Sequence, residues 1–180
     1  MTVLVTLDLG SKAGFTRYDT EDGDLYLGWN DWSKVPPVDR AIAFGQWMTA
    51  ILDGTILDVQ GEVVRAGLRP VTVVGYEHVP FAGKGNSSEF IHKQEGLLQW
   101  LSQDIAFQAI NVSTLKKFAT GDGHAQKDSM VHAARYGIRT LGHPDPVEMK
   151  DDTADAFIVL AWMLTNAVKG WELPDVVVPD

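Results

Sequence analysis

The chain has 180 residues, 45% apolar and 22% charged, values that suit one soluble globular domain with a single core and exclude a disordered or fibrous chain. It has no cysteine, so disulfide scaffolds, thiolate metal sites and thiol nucleophiles are excluded as well. A formal charge of -9 weighs against a polyanionic partner, because nucleic-acid affinity rests largely on Lys and Arg neutralising phosphates.

The opening residues MTVLVTLDLGSK lack the basic start and long apolar run of a signal peptide, and no apolar segment is long enough to span a bilayer. The expectation is a soluble cytoplasmic protein with no membrane partner. Three short strands are predicted near 3–9, 13–19 and 24–30, close enough together to form an antiparallel meander. After Pro36 and Pro37, the residues Phe44, Trp47, Met48, Ile51 and Leu52 recur at helical spacing, with Gly54 as the stop. Val71 to Tyr76 reads as a buried strand with Glu77 at its carboxyl end. A helix follows over Ser87 to Gln103 with Leu97, Leu98 and Leu101 inward, then a strand near Phe107–Val112 and a short helix capped by Ser113. Residues 125–137 read as helix, and a last long helix runs from Asp151 to Val168. The order predicts an α/β domain over residues 1–169: a mixed five-stranded sheet, three antiparallel strands and then two parallel ones, flanked by helices. Residues 170–180 form a tail. The aromatic-rich stretch Trp29 to Pro37 has no assignment.

Several acids stand out against this background. Asp8 interrupts an otherwise apolar strand, a costly position unless the carboxylate is paired or bound to metal, although it also suits a cap on the turn at Gly10 and Ser11. Glu77 ends another apolar strand. Asp152 and Asp155 lie three apart at the start of the last helix and so share a face. The helix dipole also favours acids there, a sufficient reason for Asp151 and Asp152 but a weaker one for Asp155, which sits among apolar residues. Oxygen ligands of this kind suit Mg²⁺ or Mn²⁺. The net charge is also unevenly spread: Phe81 to Arg139 holds seven basic and five acidic residues, net +2, which leaves -11 on the remainder.

Four pieces in order, LDLGSKAGFT, VVGYEHVPFAGKGNSS, VSTLKKFATGDGHAQKDSMV and DDTADAF, resemble the RuvC-like Holliday junction resolvases of the RNase H-like superfamily. The resemblance spans about Thr2 to Trp162, nearly all of the chain before the tail. The resemblance implies an RNase H-like fold, with Asp8, Glu77, Asp152 and Asp155 as catalytic ligands to two Mg²⁺ or Mn²⁺ ions. It implies Lys127 as a catalytic lysine and Lys116, with Lys117 beside it, as DNA contacts. Phe81 would stack on or wedge beside an unpaired base, and Lys84 would touch backbone phosphate. His124 is a weaker candidate, since a lone loop histidine is more often simply exposed.

The implied activity is hydrolysis of phosphodiesters in Holliday junctions and other branched DNA, leaving 5′-phosphate and 3′-hydroxyl ends, by a homodimer matching a two-fold substrate. Two alternatives remain. LDLGSKAGF is also similar to the phosphate-binding hairpin of actin-like phosphotransferases, although 180 residues leave no room for a second lobe. The other is a branched-DNA-binding module without catalysis, against which the complete acid set speaks.

Overall fold

The computed structural model describes residues 2–58, 60–79 and 86–166. Three antiparallel strands come first: β1 (Val3–Asp8), β2 (Lys12–Asp19) and β3 (Leu25–Asp31). Helix α1 (Arg40–Leu52) and a small hairpin, β4 (Ile56–Leu57) with β5 (Val63–Arg65), lead to β6 (Val73–His78). The remaining elements are α2 (Asn86–Leu101), β7 (Ala106–Asn111), α3 (Val112–Thr120), α4 (Lys127–Thr140) and α5 (Asp151–Asn166). The main sheet runs in the order β3-β2-β1-β6-β7, with β1, β6 and β7 parallel to one another and β2 and β3 antiparallel, the predicted mixed sheet.

Strand periodicity divides the core in two. Val3, Val5 and Leu7 of β1, with Val74 and Tyr76 of β6, face α1 and α2 in one cluster. Leu4 of β1 and Val73 of β6 face α3, α4 and α5 in the other. Thr6 and Asp8 share the face of Leu4, and Gly75 and Glu77 share the face of Val73. The register Leu4↔Val73 through Leu7↔Tyr76 therefore brings Asp8 beside Glu77 one step further on, both under α5.

Helix α5 is seated diagonally on this face by four contacts. Thr153 Oγ1 donates to the Gly28 carbonyl at 3.2 Å, and Thr6 Oγ1 donates to the Ala156 carbonyl at 2.8 Å. At Gly14 a Cβ would lie 1.9 Å from the Asp152 carbonyl oxygen, and at Gly75 one would lie 2.0 Å from Met163 Sδ. The two glycines let the helix lie directly on the backbone of β2 and β6.

The unassigned stretch has two parts. Trp29 to Asp31 complete β3, and Trp32 is a core residue, stacked edge-on against Phe44, Trp47 and Phe90 with centroids 5.6, 5.3 and 6.3 Å away. Three expectations need correction. The α3 cap is Asn111, whose Oδ1 accepts from the Ser113 N–H at 2.9 Å and from its hydroxyl at 2.8 Å, so the strand stops one residue early and Val112 is helical. Helix α4 begins at Lys127 and runs past residue 137 to Thr140, because Gly137 leaves room for the Phe157 ring, 2.7 Å from where a Cβ would sit. In α2, Leu98 is fully buried while Leu97 and Leu101 lie at the edge of the core. The hairpin β4–β5 was not anticipated. Phe81, Lys84 and the tail lie outside the described residues. No helix among the described residues is long and apolar enough to cross a membrane.

Candidate active site

Three elements meet at the carboxyl-terminal edge of the parallel strands. Asp8 ends β1, Glu77 is the penultimate residue of β6, and Asp152 and Asp155 come from the first turns of α5. In open α/β sheets this edge is where ligands bind. Glu77 is 8% exposed; Asp8, Asp152 and Asp155 are half-buried.

Their charges are mutually unfavourable. Burial, followed by the charges of Glu77, Asp155 and Asp152, pushes the Asp8 carboxyl well above the usual carboxylate range, against the pull of Lys127. Burial and Asp155 push Glu77 up to about 7, opposed by Lys116. Burial and Asp152 push Asp155 up to about 6, opposed by Lys116 and Lys127. Asp152 is raised by burial, with Lys127, Lys12 and Lys150 pulling it down. Ordinary structural acids are held by a cation or by hydrogen-bond donors, which lower their pKa values; these four are raised, by burial first and then by neighbouring acids, which for Asp152 means Asp151.

Among the described residues, no three Asp, Glu or His side chains are drawn into a ready-made coordination shell. Like-charged groups hold one another apart, and a hard cation bridged partly by water does not require tight prior closure. The donor chemistry fits such an ion: four carboxylates, no thiolate, and a seat under a helix whose position is set by Gly14 and Thr6.

The lysines differ in their surroundings. Lys127 Nζ bonds the Asp151 carboxylate at 2.9 Å, which raises the lysine and occupies Asp151, leaving Asp152 as the acid whose charge acts on Asp8. Lys116, on α3, acts on both Glu77 and Asp155. Lys117 is exposed on the next position of that helix, and of the sequence-predicted lysines it is Lys116 and Lys127 that act on the acids. His124 is exposed in the turn between α3 and α4, where its backbone N–H donates to Asp122 Oδ1 at 2.9 Å.

Two residues near the site escaped the sequence reading, Lys12 and Lys150, both exposed and both within electrostatic reach of Asp152. Each sits singly in an acidic or mixed stretch, so no basic run announced them. The one local signal was their position: Lys12 two residues before the glycine that seats α5, and Lys150 immediately before its first acid.

Neither a family model nor a curated protein matches the chain. Solved structures do. Thermus thermophilus RuvC in complex with a Holliday junction substrate is similar with a TM-score of 0.64 at 18% identity, over 88% of this chain and 90% of that one. A second Thermus thermophilus RuvC structure gives 0.58 at 16%, with the same coverage. The yeast mitochondrial Holliday junction resolvase Ydc2 gives 0.59 at 14%, over 90% of this chain and 78% of that one. The fold is RuvC-like, an RNase H-like fold.

Proposed function

We propose that this chain is a divalent-metal-dependent endonuclease that cuts Holliday junctions and related branched DNA. The observation that carries the reading is the set of four carboxylates brought together from β1, β6 and α5, raised by burial and by neighbouring acids and bordered by lysines. Asp8, Glu77, Asp152 and Asp155 hold the ions, Mg²⁺ or Mn²⁺ and two per site. When bound, such ions activate a water and offset charge on the departing oxygen of a phosphodiester, giving 5′-phosphate and 3′-hydroxyl ends. Lys116 and Lys127 counter the charge of the phosphate, and Asp151 keeps Lys127 at the rim of the site. Thr6 and Gly14 fix the height of α5 over the sheet, and thereby the spacing of its two acids from Asp8. The junction as substrate is supported by the lysine–glycine segment from Lys116 to Lys127 and by the likeness to a RuvC whose structure holds a junction.

A two-fold junction favours two active sites, and the outer face of α1 and α2 suits pairing with a second copy. Ile42 and Trp100 are 62% and 65% exposed there, around an apolar groove of about 320 Å³. An exposed apolar patch with an aromatic anchor is what an isologous interface uses.

The test is incubation of the protein with a synthetic four-way junction, linear duplex, single strand and RNA–DNA hybrid in Mg²⁺, Mn²⁺ or EDTA. Junction cleavage that requires the metal is expected, and Asp8→Asn and Glu77→Gln should abolish cutting while retaining binding. Normal cutting by Asp8→Asn would refute the cluster as the active site. Binding without cutting by the unaltered chain would leave a DNA-binding module.

A further inference from the structure

Asp8, Gly14 and Trp29 form one row across β1, β2 and β3, since Asp8 pairs with Gly14 and Gly14 with Trp29. Residues paired directly across antiparallel strands share a face, so Trp29 stands on the α5 side of the sheet, two strand spacings or about 10 Å from Asp8. Lys150 Nζ lies over its indole, 3.4 Å from the ring centroid. The carbonyl of Lys150 accepts the Ala154 N–H at 2.9 Å, which ties the residue to the first turn of α5, the turn that carries Asp152. Lys12 opens β2 two residues before Gly14 and is exposed.

Many of the cations in this molecule are spent on acids. Arg65, Arg69, Lys93, Lys127, Arg135 and Arg139 all form ion pairs. Among the described residues, Lys12 and Lys150 form none, although Asp31 stands directly across from Lys12 on β3. An aromatic face attracts an ammonium group without cancelling its charge, so Trp29 restrains Lys150 while the charge stays available to an anion. The free positive charge of Lys150, held in place beside the acids, is unexpected in a chain of net charge -9 unless it meets a polyanion.

We propose that Lys150, held on Trp29, and Lys12 form a second phosphate-binding arm, on the β3 side of the carboxylates and away from Lys116, which acts on Glu77 and Asp155. A DNA strand then crosses the acids with its backbone gripped on both sides. At about 3.4 Å of rise per nucleotide, the row from Asp8 to Trp29 corresponds to roughly three nucleotides. The inference rests on the nuclease reading above, and adds to it where the strand runs.

The test is binding of a fluorescently labelled synthetic four-way junction, followed by anisotropy across a salt series in Ca²⁺. Lys150→Ala is expected to weaken binding several-fold and to lower the slope of log affinity against log salt by about 1, and the Lys12→Ala, Lys150→Ala double variant by about 2. Trp29→Leu should reproduce part of the Lys150 effect and Trp29→Phe should restore it, because only the aromatic face is required. Lys93→Ala, which removes a lysine paired with Glu89, is the control and should leave the slope unchanged. A double variant with the unaltered affinity and slope overturns the arm even if the chain cuts junctions. A reduced slope in a chain that binds but does not cut upholds the arm and rejects the nuclease. No binding by the unaltered chain overturns both.

Discussion

Replacing Gly14 with alanine is a severe test of how the site is built, because it adds one methyl group and removes no functional atom. That methyl carbon would sit 1.9 Å from the Asp152 carbonyl oxygen and 2.5 Å from the Thr153 nitrogen, both backbone atoms that no rotamer change can move aside. Real Cβ contacts below 3.0 Å are essentially unknown, so the start of α5 must retreat by at least 1.1 Å, the difference between 3.0 and 1.9. Overpacking of this kind costs about 1–3 kcal/mol, and a displacement of about 1 Å at a reacting centre costs on the order of 100-fold in rate. The expected outcome for Gly14→Ala is a folded protein with a lowered Tm, roughly 100-fold slower junction cleavage, and a much smaller rise in Tm on adding Mg²⁺. Gly96→Ala, in α2 with open space around the new methyl, controls for the substitution itself and should stabilise by up to about 1 kcal/mol. Calorimetry with and without Mg²⁺ and single-turnover cleavage measure both halves. If Gly14→Ala cuts and responds to Mg²⁺ like the unaltered chain, the close seat of α5 does not set the geometry of the acids.

Two further outcomes follow from the same framework. In EDTA, Glu77 near 7 and Asp155 near 6 keep protons that the unfolded chain, with values near 4.5 and 3.8, has released. The folded state thus binds more protons between about pH 4 and 7, and its stability falls as pH rises through that window and levels off above it. Tm in EDTA should decline from pH 5 to 7.5, with the stabilisation by Mg²⁺ greatest at the upper end, since cation binding needs ionised ligands. A flat or rising Tm in EDTA contradicts the raising of these carboxyls by burial and neighbouring acids. Trp32→Ala removes the ring that joins Phe44, Trp47 and Phe90, and should cost about 3–5 kcal/mol, a drop in Tm of roughly 10 °C, without changing how Mg²⁺ stabilises the remaining folded protein.

Asp8 was legible because an acid inside an apolar strand breaks a pattern that depends on few other residues, whereas Glu77, at a strand end, stood out only through the family resemblance. The antiparallel meander and the mixed five-stranded sheet were legible because short turns and apolar runs are local signals. Trp32 was not, because its partners lie at 44, 47 and 90 and only the tertiary fold brings them to it. Gly14 reads in sequence only as a member of the second strand, whereas its role is to lack a side chain where a helix from far along the chain lands. Lys12 and Lys150 are 138 positions apart and become neighbours of one acid only after that landing. Asn111 and Ser113 show a finer limit: both are good caps, and which one serves depends on where the pairing of β7 with His78 stops.

The seating of α5 also bears on synthesis. The helix is the last described element, yet it covers the centre of the sheet and brings half of the acids. As the chain leaves the ribosome, β1 and β6 can pair and α1 and α2 can cover one face, while Asp8 and Glu77 wait on an open surface for partners about 75 residues downstream of Glu77. The carboxylate set is therefore incomplete until this late segment emerges and docks. On the nuclease proposal, the chain is inert while nascent, with the assembly of its site timed by translation.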